Sequence, residues 1–545
     1  MSVEHIVVLC LENRSFDHML GYLPHPNPAF AGLRGGALSN PDASGTPIPA
    51  SPDATAVLPF GPDHSHDAVM AQLALAGPPW NRVPTHQGFV GSYERKTAGQ
   101  HPPRFGGVFG WARRLLHRPQ PGATGRGPLV MRCQSSERVP VLATLAIEFA
   151  VFDHWYCSVP GETWPNRNYL HAATSDGETN IVIRPYTNRT IFELLEDHGH
   201  DWRIYHDGMA QAWAYPALWD TPERHAKWWP IDTFADHVQA EDLPAYSFIE
   251  PRHQPPSAPL DQLQAARQLL GTGNSQHPEN NLVDNTAYDS FTPQSETDFD
   301  RGERLLASVY EALRTNPTLF ASTVLVVTYD EHGGLYDHLP APERVPSPGD
   351  HKTLLARLFD SVYRESATRF DFTRLGVRVP TVVISPLIPA ATLESALFEH
   401  ASVPATLRAV FAPDAGPLTG RDAHARSFNH LWAATQVRTD LPDLSAHTQP
   451  PTAPRQAAQR PPGSADAPPP PTEPSGWTPD YYTDFLQQAD AVRQHLRAVG
   501  EPEAMPLTDP TTRFNQEAVV NAFTQAGHRH RVEHTMKQPG PSRPG

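Results

Sequence analysis

The chain has 545 residues and a formal net charge of −16 at pH 7, with 39% hydrophobic and 19% charged residues. This composition sustains a packed core over most of the length, whereas the acidic balance argues against a general binder of nucleic-acid backbone. The three cysteines form no disulfide framework, and no run of about 18 apolar residues predicts a membrane span.

The N-terminal run HIVVLCL predicts a buried strand, because it is short, apolar and rich in β-branched residues. Sequence rich in Pro, Gly and Asn follows to about residue 66 and predicts loops. Next, VMAQLALAG predicts a helix, and VPVLATLAIEFAVFDHWYC predicts a helix followed by a strand. Between these two lies a basic, glycine-rich segment, GGVFGWARRLLHRPQPGATGRG, which predicts an exposed loop or a lid.

Helix and strand patterns alternate from there to about residue 411. Thr190 predicts the N-cap of a helix that ends at Gly199, and DWRIYHD predicts a strand. An amphipathic helix is predicted over DRGERLLASVYEALRTNP, where apolar residues recur at helical spacing. The remaining predictions are buried strands over TVLVV and VRVPTVVISP and a helix over SVPATLRAVF.

Strands that are apolar on both faces and alternate with helices predict an α/β fold with a mostly parallel central sheet. In such sheets, ligands bind beyond the carboxyl ends of the strands. Glu12 and Asn13 follow one predicted strand, and Asp330 and Glu331 follow another. If the two strands are parallel neighbours, these four polar side chains converge.

Composition divides the chain into three parts. Residues 1–440 are predicted to form one folded domain, and residues 448–476 a proline-rich, disordered linker. Residues 477–545 are predicted to form a helical segment, with Thr478 as N-cap, and a frayed tail. The first ten residues lack the features of a signal peptide, so we expect a cytoplasmic protein, or an exported one if the start site is misassigned.

Two acidic motifs predict metal ligands. Glu12 and Asn13 in ENRSFDH offer a carboxylate and an amide oxygen, although loop-capping residues would have the same composition. Asp330 and Glu331 are adjacent acids after a very apolar strand, and adjacent carboxylates repel unless a cation or a proton lies between them. A metal site is therefore favoured over a solvated acidic turn. Oxygen ligands suit Mg, Ca or Mn, and Zn also accepts carboxylates.

A third motif, VPGETWPNRNYL, carries candidates for a nucleophile and for anion binding. Thr163 offers a hydroxyl, and Asn166 and Arg167 offer an amide and a guanidinium that suit phosphate oxygens. A proline-containing turn with a local threonine hydrogen bond explains these residues equally well. Among the 28 histidines, the candidates for a site role are His66, His277, His338 and His400. The start of a helix would explain His400 equally well.

In this combination and order, ENRSFDH, TWPNR and DEHGGLYDH resemble the bacterial phosphoesterase family of phospholipase C-type enzymes. That family also includes plant non-specific phospholipases C and a group of bacterial acid phosphatases. The resemblance extends to about residue 435, which makes residues 1–440 the catalytic domain. It implies an alkaline phosphatase-like fold, a three-layer α/β/α sandwich with a mostly parallel central sheet.

The resemblance also implies roles for individual residues and one divalent metal ion (Mg, Ca, Mn or Zn). The implied metal ligands are Glu12, Asn13, Asp330, Glu331 and Thr163. Thr163 would also be the nucleophile, and His277 or His338 would protonate the leaving alcohol. The implied phosphate contacts are Asn13, Asn166, Arg167 and His66.

The expected function is metal-dependent hydrolysis of phosphodiesters through a covalent phosphothreonine intermediate. A broad-specificity acid phosphatase with the same site is the first alternative, and a non-catalytic binding protein on this fold is the second. The expected partner is a phosphoester substrate, with phospholipid as one candidate, and nucleic acid is not expected. Membrane contact would be transient at most and would use the basic segment around Phe109 and Trp111, although an ordinary loop explains that segment equally well. The sequence leaves the oligomeric state open.

Overall fold

An eight-stranded sheet lies at the centre of the computed structural model. The structure describes residues 2–449 apart from 37, 57, 59–60, 77–83, 98–125, 183–185, 208–209, 254–272, 279–296, 350–369 and 433–435. The basic segment around Phe109 and Trp111, nearly all of the predicted linker 448–476 and the whole predicted segment 477–545 lie outside the described residues.

The described strands and helices are as follows. The strands are β1 (His5–Leu11), β2 (Ser39–Pro41), β3 (Pro47–Pro49), β4 (Ala150–Phe152), β5 (Trp155–Tyr156), β6 (Trp202–His206), β7 (Trp228–Pro230), β8 (Tyr246–Glu250), β9 (Thr323–Tyr329), β10 (Thr381–Ile384), β11 (Thr392–Glu394) and β12 (Phe398–Glu399). The α-helices are α1 (Phe16–Leu20), α2 (His66–Leu73), α3 (Phe89–Thr97), α4 (Pro140–Glu148), α5 (Thr163–Ala172), α6 (Ile191–Asp197), α7 (Pro222–His225), α8 (Phe234–Gln239), α9 (Asp298–Arg314), α10 (Pro317–Phe320), α11 (Ser402–Phe411) and α12 (Gly420–His424).

The strands of the main sheet lie in the spatial order β11-β4-β10-β9-β1-β8-β6-β7. β10 runs antiparallel to both of its neighbours, and the other neighbouring pairs of this sheet are parallel. β1 lies between β9 and β8, with Leu11 paired to Tyr329 and Leu9 paired to Ile249. The carboxyl ends of these three strands therefore meet at one edge of the sheet.

Helices cover the sheet in two groups. α9 packs with α4, α8 and α10, whereas α11 packs with α5, α6 and α12. Every residue of β8 and β9 is buried, so these central strands are covered on both faces. A mostly parallel sheet between helices confirms the predicted α/β fold class.

Local sequence explains where the principal elements begin. Thr190 caps α6 in a capping box with Glu193, and Thr297 caps α9 with Asp300 in the same way. The strands predicted from apolar runs are confirmed as β1, β6, β9 and β10. The stretch predicted as loop up to residue 66 also contains α1 and the β2–β3 hairpin. None of the described helices has the length and apolarity to span a bilayer.

Candidate active site

The loops that follow β1 and β9 are joined directly by hydrogen bonds. The N–H of Asn13 donates to Oδ1 of Asp330 at 2.9 Å, and the N–H of Glu331 donates to the same oxygen at 2.7 Å. Asn13 has a φ of +56°, a left-handed conformation that Asn adopts more readily than most residues. The polar side chains that follow the two strands, Glu12 among them, therefore lie together at the carboxyl edge of the sheet.

Two glycines let the loop that follows β9 pack closely against neighbouring backbone. Gly333 has a φ of +65°, and a Cβ there would lie 2.2 Å from the carbonyl oxygen of Asn13. Gly334 has a φ of +70°, and its Cβ would lie 2.8 Å from the carbonyl oxygen of Asp63. The N–H of Gly333 donates to Oε2 of Glu331 at 2.8 Å and so orients that carboxylate. The Gly-Gly pair after the acids is thus required by close backbone contacts.

Thr163 is the first residue of α5 and contacts the loop that follows β1. Its Oγ1 donates to Oδ1 of Asn13 at 3.2 Å, and the residue is 7% exposed. The amide of Asn166 fixes the loop before the helix, because its Nδ2 donates to the carbonyls of Val159 and Gly161. The hydroxyl therefore lies at a helix N-terminus, where the helix dipole stabilises negative charge.

Arg167 lies fully buried behind the strand ends. Its Nε donates to Oδ2 of Asp330 at 3.0 Å, and its Nη1 donates to Oε1 of Glu250 at 2.8 Å. Its Nη2 donates to the carbonyls of the last two residues of β1. The guanidinium thus ties β1, β8 and β9 together. The geometry argues against the predicted phosphate contacts of Asn166 and Arg167, because both side chains are buried and bonded to protein groups.

Of the two histidines in DHSHDA, His64 rather than the predicted His66 lies beside Asn13. Nε2 of His64 is 3.5 Å from Nδ2 of Asn13. The His64 ring also meets the ring of His277 edge-on, with 6.0 Å between centroids, so the predicted His277 lies at the same edge of the sheet. His66 begins α2, and its Nδ1 contacts the carbonyl oxygen of Pro160 in the loop that leads to α5.

His253, which is absent from the predicted set, joins two acids at the strand ends. Its Nδ1 lies 2.6 Å from Oε1 of Glu12, and its Nε2 lies 2.7 Å from Oε1 of Glu250. Burial alone would lower the pKa of His253, but these carboxylates raise it to about 10. Burial alone would raise the pKa of Glu12, but His253 outweighs that effect and lowers it. His253 lies three residues beyond the end of β8, and that position is the signal that could have identified it.

The structure places His338 in a separate cluster. Its N–H and its Nδ1 both contact Oδ2 of Asp17, at 2.7 and 2.6 Å, beside the guanidinium of Arg378. These contacts give no support to the predicted role of His338 around the phosphoryl group. The Nε2 of His400 contacts the carbonyl oxygen of Asp330 at 2.5 Å, and burial lowers the pKa of His400 to about 4. A neutral His400 therefore supports the end of β9.

The carboxylate of Glu331 indicates that the site suits a cation. Its Oε2 accepts a hydrogen bond, but its Oε1 is buried and has no hydrogen-bond partner in the described part of the chain. Burial raises the pKa of Glu331 to about 8; His64 opposes this shift and Asp330 adds to it. An orphaned carboxylate oxygen beside further acids fits a divalent ion with oxygen ligands.

A second acidic group could also hold a metal on geometry alone. Asp17, Asp337 and His338 offer three ligand atoms within 4.8 Å of one another. The guanidinium of Arg378 already contacts both carboxylates of this group at 2.9 Å. The Asp17 group therefore carries its own positive charge, in contrast to Glu331.

A hydroxyl at a helix N-terminus, beside an amide and a cluster of buried acids, suits attack on a phosphoric ester. The fold and the site thus define a hydrolase of phosphoric ester bonds. Residues 3–412 match the model of the Phosphoesterase family, and the chain belongs to that family.

Relatives of this chain include proteins with phospholipase C names. It is 32% identical over 474 residues to non-specific phospholipase C3 of Arabidopsis thaliana, covering 81% of this chain and 75% of that protein. It is 34% identical over 478 residues to non-specific phospholipase C6 of the same plant, covering 84% and 76%. Phospholipase C A of Mycobacterium tuberculosis is 27% identical over 486 residues, covering 81% and 80%.

Solved structures similar to this chain include a protein in the alkaline phosphatase superfamily from Vibrio parahaemolyticus. That protein is 13% identical, and the match covers 53% of this chain and 64% of the other, with a TM-score of 0.30. A sulfatase from Pseudoalteromonas sp. matches with 12% identity and a TM-score of 0.29, covering 55% and 68%. Scores this low support no argument about the reaction.

Proposed function

We propose that this protein is a metal-dependent phosphodiesterase of the phospholipase C type, with Thr163 as its nucleophile. The contact between Thr163 Oγ1 and Asn13 Oδ1, at 3.2 Å, carries the proposal. It fixes a single, slightly exposed hydroxyl at a helix N-terminus, beside the acids that follow β1 and β9. The amide oxygen of Asn13 accepts a hydrogen bond from the hydroxyl in this contact and so directs an oxygen lone pair of Thr163 away from Asn13.

The proposed metal ligands are Glu12, Asn13, Asp330, Glu331 and Thr163. When bound there, a divalent ion would lower the pKa of the threonine hydroxyl and neutralise charge on the phosphoryl oxygens. The buried Oε1 of Glu331 supports this assignment, because it has no hydrogen-bond partner among the described residues and a cation would supply one. The metal identity is left to experiment among Mg, Ca, Mn and Zn.

The proposed reaction has two steps. Oγ1 of Thr163 loses its proton to solvent and attacks phosphorus in line, a Thr–O–P bond forms and the bond to the leaving alcohol breaks. His277 donates a proton to the leaving oxygen, and the contact of its ring with His64 holds it near Asn13. Water then gives a proton to His277 and attacks the same phosphorus, and the Thr–O–P bond breaks, so that Thr163 is released and regains its proton from solvent. For a diester, the covalent intermediate keeps the second ester substituent on phosphorus.

The names of the relatives favour a phosphodiester substrate, and phospholipid is the substrate class that we propose. The test is hydrolysis of p-nitrophenylphosphorylcholine and p-nitrophenyl phosphate side by side, before and after treatment with a chelator. We expect cleavage of the diester that the chelator abolishes and that one of the four metals restores. If only the monoester is cleaved, the protein is a phosphatase and the proposed phosphodiesterase activity is wrong. If cleavage persists in the presence of the chelator, the reaction does not depend on a metal.

A further inference from the structure

Arg378 is a fully buried arginine just before β10, and it spans four separate segments of the chain. Its Nη2 donates to Oδ1 of Asp17 and its Nε to Oδ1 of Asp337, both at 2.9 Å. Its Nη1 donates to the carbonyls of Ala31 and Asp153, at 3.0 and 2.7 Å. The guanidinium also lies 4.4 Å from the ring centroid of a phenylalanine at the start of α1. No described contact joins it to Thr163.

The carboxylates of Asp17 and Asp337 also accept hydrogen bonds from the backbone of each other's loop. The N–H of Asp17 donates to Oδ2 of Asp337 at 3.1 Å, and the N–H of His338 donates to Oδ2 of Asp17 at 2.7 Å. Nearby, Oγ of Ser15, two positions before Asp17, donates to the carbonyl of Tyr336 at 2.6 Å. The chain segments 13–17 and 330–338 are therefore joined at both of their ends. One joint is Asn13 with Asp330, and the other is the group around Arg378.

The contacts around Arg378 affect the positions of the acids in and beside segments 13–17 and 330–338. Glu331 lies inside segment 330–338, whereas Asn13 begins segment 13–17 and Glu12 directly precedes it. A divalent ion requires its ligands within about 0.2 Å of their ideal distances, so a small change in the angle between the loops weakens binding. Without Arg378, the carboxylates of Asp17 and Asp337 would be buried, adjacent and unneutralised, and would repel each other.

We propose that Arg378, with Asp17 and Asp337, is a positioning unit that sets the spacing of the two ligand loops and thereby the metal affinity of the site. The inference rests on the proposed function, because it assumes that Glu12, Asn13, Asp330 and Glu331 bind a metal. It assigns Arg378 no contact with substrate or with reacting atoms. Its effect on hydrolysis is therefore exerted through occupancy of the metal site.

The test compares Arg378→Met with a matched control, Arg438→Met. Arg438 also pairs with a carboxylate, that of Glu148 at 3.1 Å, and also lies over a phenylalanine ring, that of Phe149 at 5.3 Å, but it bonds neither ligand loop. Each chelator-treated protein is titrated by calorimetry with the one ion, among Mg, Ca, Mn and Zn, that restores hydrolysis to the wild type. Urea unfolding of the metal-free proteins measures stability separately.

We expect Arg378→Met to weaken metal binding at least tenfold, and saturating metal to restore most of kcat. Arg438→Met should lose stability but keep wild-type affinity. Equal affinities in folded Arg378→Met and wild type would overturn the inference and leave the proposed function intact. A wild type that binds none of the four ions would overturn both. If Arg378→Met does not fold, Asp17→Asn removes one charge from the unit and should weaken binding in the same direction; wild-type affinity in that variant would overturn the inference.

Discussion

The backbone N–H of Asn13 donates to the Oδ1 of Asp330 across the carboxyl ends of β1 and β9, at 2.9 Å. The bond joins residues 317 positions apart in sequence, and it sets the distance between the two loops that carry the acids. Asn13 also accepts from Thr163 with its side chain, so one residue connects the nucleophile candidate to both loops. Asn13 makes both contacts from a left-handed backbone conformation, with a φ of +56°.

Two substitutions of Asn13 distinguish the role of its side-chain amide from the role of its left-handed backbone conformation. Asn13→Gly removes the amide but fits a φ of +56°, so we expect stability close to wild type and hydrolysis reduced about a hundredfold or more. Asn13→Ala removes the same amide and adds left-handed strain of about 1–2 kcal/mol. Urea unfolding and initial rates check both variants. Equal stability of the two would contradict the role of the backbone conformation.

Gly333 is expected to tolerate no side chain. Gly333→Ala places a Cβ 2.2 Å from the carbonyl oxygen of Asn13 and also strains a φ of +65°, so the free energy of unfolding should fall by about 3 kcal/mol. Gly45→Ala is the control, because Gly45 has a φ of +86° with open space around its Cβ position and should lose only about 1 kcal/mol. Similar losses in urea unfolding would show that the close approach is unimportant.

Substitution of Arg167 distinguishes a structural role of this residue from the predicted contact with phosphate. Arg167→Met leaves Asp330 and Glu250 as buried, unpaired acids, so we expect a loss of about 3–5 kcal/mol in unfolding free energy. The exposed Arg189–Asp197 pair is the control, and Arg189→Met should cost less than about 1 kcal/mol. A variant of Arg167 with wild-type stability and a raised KM would instead support the phosphate contact.

The raised pKa of Glu331 predicts a pH dependence for the metal-free protein. Because that pKa is about 8 when folded and near 4.5 when unfolded, the folded state holds more protons between these values. Stability therefore falls as pH rises from about 4.5 to 8. Glu331→Gln lacks this loss and should exceed wild type by about 3–5 kcal/mol at pH 9, in urea unfolding with chelator. If the unfolding free energies of the two proteins changed with pH in the same way, the raised pKa of Glu331 would be contradicted.

Metal affinity should depend on pH for the same reason. An ion that binds Glu331 displaces its proton, so wild-type affinity should fall about tenfold per pH unit below pH 8. Calorimetric titrations between pH 6 and 9 measure this slope. A flat profile would mean that Glu331 is already ionised in the metal-free protein.

The sequence was sufficient to predict a mostly parallel sheet, because apolar strands that alternate with helices form such sheets, but it left open whether β1 and β9 are neighbours. Glu12, Asn13, Asp330 and Glu331 were selected for their positions after β1 and β9, and the register of these strands brings them together. Thr163 was selected from a family motif, since nothing in its local sequence fixes which way the hydroxyl faces. Its contact with Asn13 depends on the packing of α5.

The roles of the histidines were harder to predict from the sequence. His64 and His66 are two residues apart; His66 begins α2, whereas His64 precedes the helix and contacts Asn13, and the sequence does not distinguish the two. His253 follows β8, a strand that was not identified from its own pattern. Arg378 meets Asp17 across 361 positions, so no local signal could assign its role.

The central claim is that Thr163 forms the covalent intermediate, and trapping that intermediate tests it most directly. Wild type and Thr163→Ala are mixed with p-nitrophenylphosphorylcholine, quenched in acid within one turnover and analysed by peptide mass spectrometry. We predict a phosphorylcholine adduct on Thr163 in the wild type, and at least a thousandfold loss of hydrolysis in a folded Thr163→Ala. Thr163→Ala with near wild-type turnover, or an adduct on another residue, would contradict the claim.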